Sequence, residues 1–233
     1  MADLTVLQQR LGVSFNNPSL LEQALVHTSY LNENPGFTRD SNEKLEFLGD
    51  AILGFIIAEK LYRDFTQFSE GEMTRLRAAL VRRETLARMA AALELGDYLY
   101  LGRGEEASGG RSKAGNLASV FEAVIAAIFL DQGITVTGDV ILRIFDKELR
   151  KAVRLGAVAD YKSRLQEIIQ ARQQETPVYQ LVEEKGPAHD RLFTVEVKVA
   201  DTVLGRGLGK SKKIAETKAA RSALERLSAD FTL

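Results

Sequence analysis

With 233 residues, 45% hydrophobic, 27% charged and a net charge of −1, the chain can form one large or two modest folded domains, and its composition points away from a disordered or a membrane protein. It has no cysteine and only two histidines, which removes disulfide frameworks, zinc–thiolate sites, thiol nucleophiles and His-rich metal centres; catalysis is left to carboxylates, hydroxyls or an oxygen-bound metal. The longest apolar run, residues 123–130, falls far short of a bilayer span, and the opening Met-Ala-Asp-Leu-Thr has no basic segment followed by an apolar one, so a cytoplasmic protein without a membrane partner is expected.

Helical periodicity dominates the first 150 residues. Leu4, Leu7 and Leu11, then Leu20, Leu21, Ala24 and Leu25, mark two short amphipathic helices, with Asn17-Pro18 starting the second. A polar loop over 32–41, containing Pro35-Gly36, leads into residues 42–51, Asn-Glu-Lys-Leu-Glu-Phe-Leu-Gly-Asp-Ala. On a helix Glu43, Glu46 and Asp50 fall within about 60° of one another, while Leu45, Leu48, Ile52 and Phe55 point broadly the other way. Carboxylates crowded in this way repel unless a cation neutralises them, and a hard ion such as magnesium suits them. A solvated acidic face is the alternative. Phe47 lies toward the apolar side, which suits the core or an interface.

Residues 70–80 and 83–94 are again helical in period, and Glu70 stands at a helix start, where the backbone dipole favours an acid. Residues 102–115 are glycine-rich and polar and read as a loop. Residues 119–130 read as a core helix that is apolar on nearly every side. Glu122 is its one charge, costly to bury unless it is matched by an arginine from the 75–83 stretch or shares a cation with the other acids. These elements make residues 1–153 an all-α domain.

The pattern changes after Leu155-Gly156-Ala157, and the small-residue segment 154–159 reads as a linker. Within 160–229 the expected order is a helix from Asp160 to about Arg172, strands at 178–183, 192–199 and 202–207, and a helix over 212–227. This α-β-β-β-α order makes a small α+β domain. Residues 1–155 hold 18 Lys+Arg against 21 Asp+Glu and residues 156–233 hold 13 against 11, so nucleic-acid binding has to rest on local patches. Lys210, Lys212 and Lys213 at the mouth of the last helix form a candidate phosphate clamp. Gln166 and Gln170 form a polar stripe able to bond sugar hydroxyls. His189 lies in the loop between the first two strands.

In these residues the chain resembles bacterial ribonuclease III. Residues 42–51 resemble that family's signature segment; Glu70-Gly71 with Arg77-Ala78-x-Leu80-Val81, and Phe121-Glu122-Ala123 with Leu130-Asp131, resemble its next motifs. Asp160-Tyr161-Lys162, Leu165-Gln166-Glu167, Gly186-Pro187-x-His189 and the 209–216 segment resemble its appended double-stranded-RNA-binding domain. The resemblance implies the ribonuclease III endonuclease fold and a homodimer that cleaves duplex RNA, such as rRNA and mRNA precursors, by two-metal hydrolysis with Mg2+, Mn2+ substituting, and no small-molecule cofactor. It implies metal ligands at Glu46, Asp50 and Glu122, with Asp50 and Glu122 central to catalysis. Glu43 and Glu70 become further cleft acids, Phe47 an aromatic inserted into the partner subunit, and Gln166, Gln170, His189, Lys210, Lys212 and Lys213 RNA contacts. Ser119 departs from the family pattern, which has an Asp at that metal position. A hydroxyl brings no charge, so impaired cleavage with near-normal duplex binding is expected, and Asn116, one turn earlier, offers a substitute carbonyl. A duplex-RNA-binding dimer that retains the nuclease fold without cleaving is the other reading of the same residues.

Overall fold

The computed structural model describes residues 3–66, 68–159, 161–173, 175–187 and 191–229, with backbone only at 154–159, 172–173 and 228–229. Short polar residues start the first helices. Asp3 accepts from the Thr5 N–H at 2.8 Å to cap α1 (Leu4–Leu11). Asn17 caps α2 (Pro18–Ala24), with proline at its first turn. The N–H groups of Asn16 and Asn17 both donate to Asp131, each at 2.8 Å. After α3 (Thr28–Glu33) comes α4 (Glu43–Asp64), which buries Leu45, Ile52, Leu53, Ile56, Ile57 and Leu61. A capping box formed by Ser69 and Glu72 opens α5 (Glu70–Val81), and α6 (Arg83–Ala92) follows directly.

Residues 102–115 are not the plain loop expected. They hold a short helix, α7 (Arg103–Ala107), and a 3-10 turn at Gly110–Ser112. The Arg111 guanidinium organises them by donating to the carbonyls of Gly96, Asp97 and Leu99 at 2.9–3.1 Å while pairing with Glu106. The core helix likewise starts earlier and runs longer than its apolar stretch: α8 (Ala114–Ala159) is two helical stretches joined at Gly133, where φ is 78° and ψ 179°. The expected linker 154–159 is therefore helical in backbone; its alanines and leucine are good helix formers, and one glycine is tolerated at about 1 kcal/mol. Val120, Phe121 and residues 123–128 of α8 are fully buried. By length and composition α8 could cross a membrane, but 56% of its most apolar window is packed inside the protein, as befits a core helix.

The chain divides into two units, Met1–Ala152 and Val153–Leu233. In the second, α9 (Tyr161–Gln173) precedes an antiparallel sheet in the order β1 (Val178–Lys185), β2 (Leu192–Val199), β3 (Thr202–Gly209), and α10 (Lys212–Ala229) closes it. Ala200, at φ 48°, forms the β2–β3 turn. Val195, Val197 and Val199 alternate into a core with Leu165, Ile169, Ala215, Ala219, Ala220 and Ala223. Gly205, Gly207 and Gly209 share one face of β3. A Cβ on Gly205 would lie 2.3 Å from the Ala219 carbonyl oxygen, and one on Gly207 2.2 Å from that of Ala215. Glycines at a period of two thus meet alanines at a period of four, and the helix rests directly on strand backbone.

Candidate active site and nucleic-acid interface

The site of interest in the first unit is where α4 meets α8. A Cβ on Gly49 would lie 1.9 Å from the carbonyl oxygen of Glu122, so glycine is what lets the two backbones touch. That approach brings Glu46 and Asp50, flanking Gly49 on α4, into electrostatic range of Glu122 on α8. The Glu122 carboxyl is pushed up to about 7, by burial first and then by the charges of Asp50 and Glu46; Arg83, at the start of α6, pulls the other way. The arginine partner considered for Glu122 is thus Arg83, acting through its field, since no ion pair joins them among the described residues. On α8, one turn before Glu122, the Ser119 hydroxyl donates to Glu46 Oε1 at 2.8 Å.

Among the described residues no three carboxylate or imidazole groups form a ready-made metal cage. The donor set still fits a hard divalent ion. The acids present only oxygen, their like charges repel at Glu122, and magnesium typically keeps much of its water while taking one or two carboxylates plus substrate phosphate.

The other expected acids, Glu43 and Glu70, are exposed. Glu43 accepts from the Ser41 hydroxyl at 2.7 Å. Glu70 is exposed, accepts from the Thr74 hydroxyl at 2.9 Å, and borders a cavity of about 260 Å³ lined also by Tyr62, Met73 and Arg77. Asn116 is tied elsewhere, its amide donating to Glu105 and to the Gly110 carbonyl at 2.8 and 2.9 Å. Core placement is corrected for Phe55, which is 56% exposed, and of the two readings of Phe47 the core one falls, since it is 82% exposed. With Ala51 between them they form an uncovered i, i+4, i+8 stripe on α4.

In the second unit Gln166 and Gln170 are exposed on one face of α9, and Lys210, Lys212 and Lys213 are exposed where β3 passes into α10. Ser211 begins α10, its hydroxyl accepting from the Ile214 N–H at 3.3 Å. Lys162, which the sequence reading had not singled out for a role, pairs with Glu216 at 2.6 Å and lies 4.3 Å from the Tyr179 ring centre. It ties α9 to α10 and so relates the glutamines to the lysines. His189 lies outside the described residues.

A ribonuclease-III-like family model matches residues 17–149, and a double-stranded RNA binding motif matches residues 161–227. Among curated relatives, a ribonuclease 3 of Dehalococcoides mccartyi is 55% identical over 232 residues, covering 100% of this chain and 98% of the relative. Another, from Syntrophobacter fumaroxidans, is 48% identical over 231 residues, covering 97% and 96%. Among solved structures, the nuclease domain of ribonuclease III from Campylobacter jejuni matches with a TM-score of 0.58 at 36% identity, over 64% of this chain and 97% of that one. A second structure of that domain, described for flexibility in its region involved in dimer formation, matches with a TM-score of 0.57 at 37% identity, over 62% and 97%. With the helical unit and the α-β-β-β-α unit each matched in chain order, the chain belongs to the ribonuclease III family and is a double-stranded-RNA endoribonuclease of that type.

Proposed function

We propose that the chain is a cytoplasmic, magnesium-dependent homodimer that cuts duplex RNA in rRNA and mRNA precursors, with Mn2+ able to replace Mg2+. The observation that carries the metal is the meeting of Glu46, Asp50 and Glu122 across Gly49, where burial and like charge hold the Glu122 carboxyl up at about 7. Glu46, Asp50 and Glu122 would hold the ion. A bound divalent cation supplies an activated water and charge stabilisation at the leaving oxygen. The chain itself does the positioning. Lys212 and Lys213 take backbone phosphates, Gln166 and Gln170 reach sugar hydroxyls, and binding follows duplex shape rather than sequence.

The uncovered Phe47–Ala51–Phe55 stripe and the cavity beside Glu70 support the dimer. Each is apolar surface that a second copy would cover. Ser119 in place of a carboxylate lowers the negative charge available to the ion. The metal requirement is therefore raised and cleavage slowed, while duplex binding stays near normal.

The test is cleavage of a long RNA duplex in low-millimolar magnesium, with chelator in parallel and a gel shift on the same duplex. Magnesium-dependent cuts, faster in Ser119→Asp, support the reading. A clean shift with RNA left intact for hours identifies a non-cleaving binder, and an equal rate in Ser119→Asp removes the account of slowed turnover.

A further inference from the structure

We propose that Ser119 is a positioning residue for the cleavage reaction, its hydroxyl holding Glu46 by one carboxylate oxygen so that the other stays turned to the cation site. The inference rests on the proposed metal-dependent cleavage and says what the serine does there beyond leaving a carboxylate out.

The geometry is direct. Ser119 and Glu122 are three residues apart on α8, so both side chains face the same neighbour, α4. The Ser119 Oγ to Glu46 Oε1 distance is 2.8 Å, in a half-buried setting. An ionised carboxylate can only accept, so the serine proton is the one shared. Glu46 Oε2 is engaged by no described residue.

This arrangement assigns the groups differently from a simple ligand swap. A hydroxyl whose proton points at Glu46 acts through Glu46 and leaves the metal contact to the carboxylate. An aspartate in the same place would accept rather than donate, and would repel Glu46 instead of holding it. The serine thus reduces the attraction for a cation by one charge while restraining a glutamate that otherwise has three side-chain torsions to lose on binding. Loss of the hydroxyl frees Glu46 and leaves it to be ordered when the ion binds.

The measurement uses the full-length wild-type protein with Ser119→Ala and Ser119→Thr. Calorimetry follows Mn2+ and Mg2+ binding with no RNA present, and the metal dependence of duplex cleavage is recorded beside it. Ser119→Ala is expected to weaken metal binding roughly fivefold to tenfold, the scale of one typical side-chain hydrogen bond. It is expected to raise the metal concentration for half-maximal cleavage by the same factor, with melting temperature and duplex gel shift unchanged. Ser119→Thr, which keeps the hydroxyl, is expected to restore both values.

Metal binding in Ser119→Ala equal to wild type, or in Ser119→Thr as weak as in Ser119→Ala, overturns the inference while metal-dependent cleavage by the wild type still stands. A wild type that neither binds the ions nor cuts duplex RNA overturns both readings.

Discussion

The α4–α8 crossing of the nuclease unit and the β3–α10 face of the RNA-binding unit solve the same packing problem for opposite electrical ends. In each, glycine lets two backbones come closer than a Cβ permits: Gly49 against Glu122, and Gly205, Gly207 and Gly209 against the turns of α10. At the first, contact gathers carboxylates that repel, so the fold holds unfavourable charge together for chemistry. At the second, contact buries an uncharged core of aliphatic side chains and leaves the charges at the rim, where Lys212 and Lys213 face water. The proposed cation site stresses its own fold, whereas the proposed polyanion site is mounted on a relaxed one.

Gly49→Ala breaks the first half of that comparison and carries the largest expected effect. Its Cβ would meet backbone, which cannot rotate away, so a loss of about 3 kcal/mol or more in the stability of the nuclease unit is expected. Cleavage should disappear while the gel shift of the full chain on duplex RNA persists. Gly207→Ala breaks the other half, with a Cβ 2.2 Å from the Ala215 carbonyl oxygen and a loss of about 2 kcal/mol from the overpacked helix–sheet contact. Here the gel shift should weaken while the thermal transition of the nuclease unit stays in place; differential scanning calorimetry reads both variants.

Glu122→Gln tests whether the first site is electrically stressed. The folded carboxyl titrates near 7 against a reference of 4.5, so between those values the folded chain keeps a proton that the unfolded chain has lost. Stability in chelator therefore falls as pH rises through this window, and the penalty is complete above about 7. The group is partly open to solvent, so the penalty is about 1 kcal/mol rather than the full value of the shift. Glu122→Gln should abolish cleavage yet raise the melting temperature by a few °C at pH 8, with no gain at pH 4.5. Equal melting temperatures at pH 8 would show that the acids are not strained.

How far these two regions could be read from sequence follows from the forces that build them. β2 is found at both ends, Leu192 to Val199, because strict alternation of valine with polar residues is a local signal. The close approach of Glu46, Asp50 and Glu122 was legible only in part. A helix wheel joins Glu43 to its neighbours but does not contain its bond from the Ser41 hydroxyl, nor the Gly49 approach that sets α4 against Glu122. Phe55 is expected in the core and Phe47 in the core or at an interface, yet both are exposed, because α4 is apolar on more than one side and periodicity does not say which side another element covers. The α7 region was missed since Arg111 holds it through carbonyls far along the chain. The second unit carries a further sequence signal in its glycines at 205, 207 and 209, which alternate where a strand would normally carry side chains.

The smallest expected effect lies at the relaxed site. Lys212 and Lys213 are exposed in the first turn of α10 and leave the core untouched, so replacing both with alanine should shift the melting temperature by under 2 °C. What changes is counterion release. Each lysine lost from a phosphate should lower the slope of log affinity against log salt by roughly 1, so the double variant binds duplex RNA more weakly at low salt and converges on wild type as salt rises. An unchanged slope would remove these lysines from the phosphate contacts and leave Gln166 and Gln170 on α9 to carry the interface. The lysine substitutions should leave the fold in place and change only its salt response, whereas Gly49→Ala should leave duplex binding in place and remove the chemistry. The two regions then fail independently, as expected if one assembles charge by strain and the other displays it without.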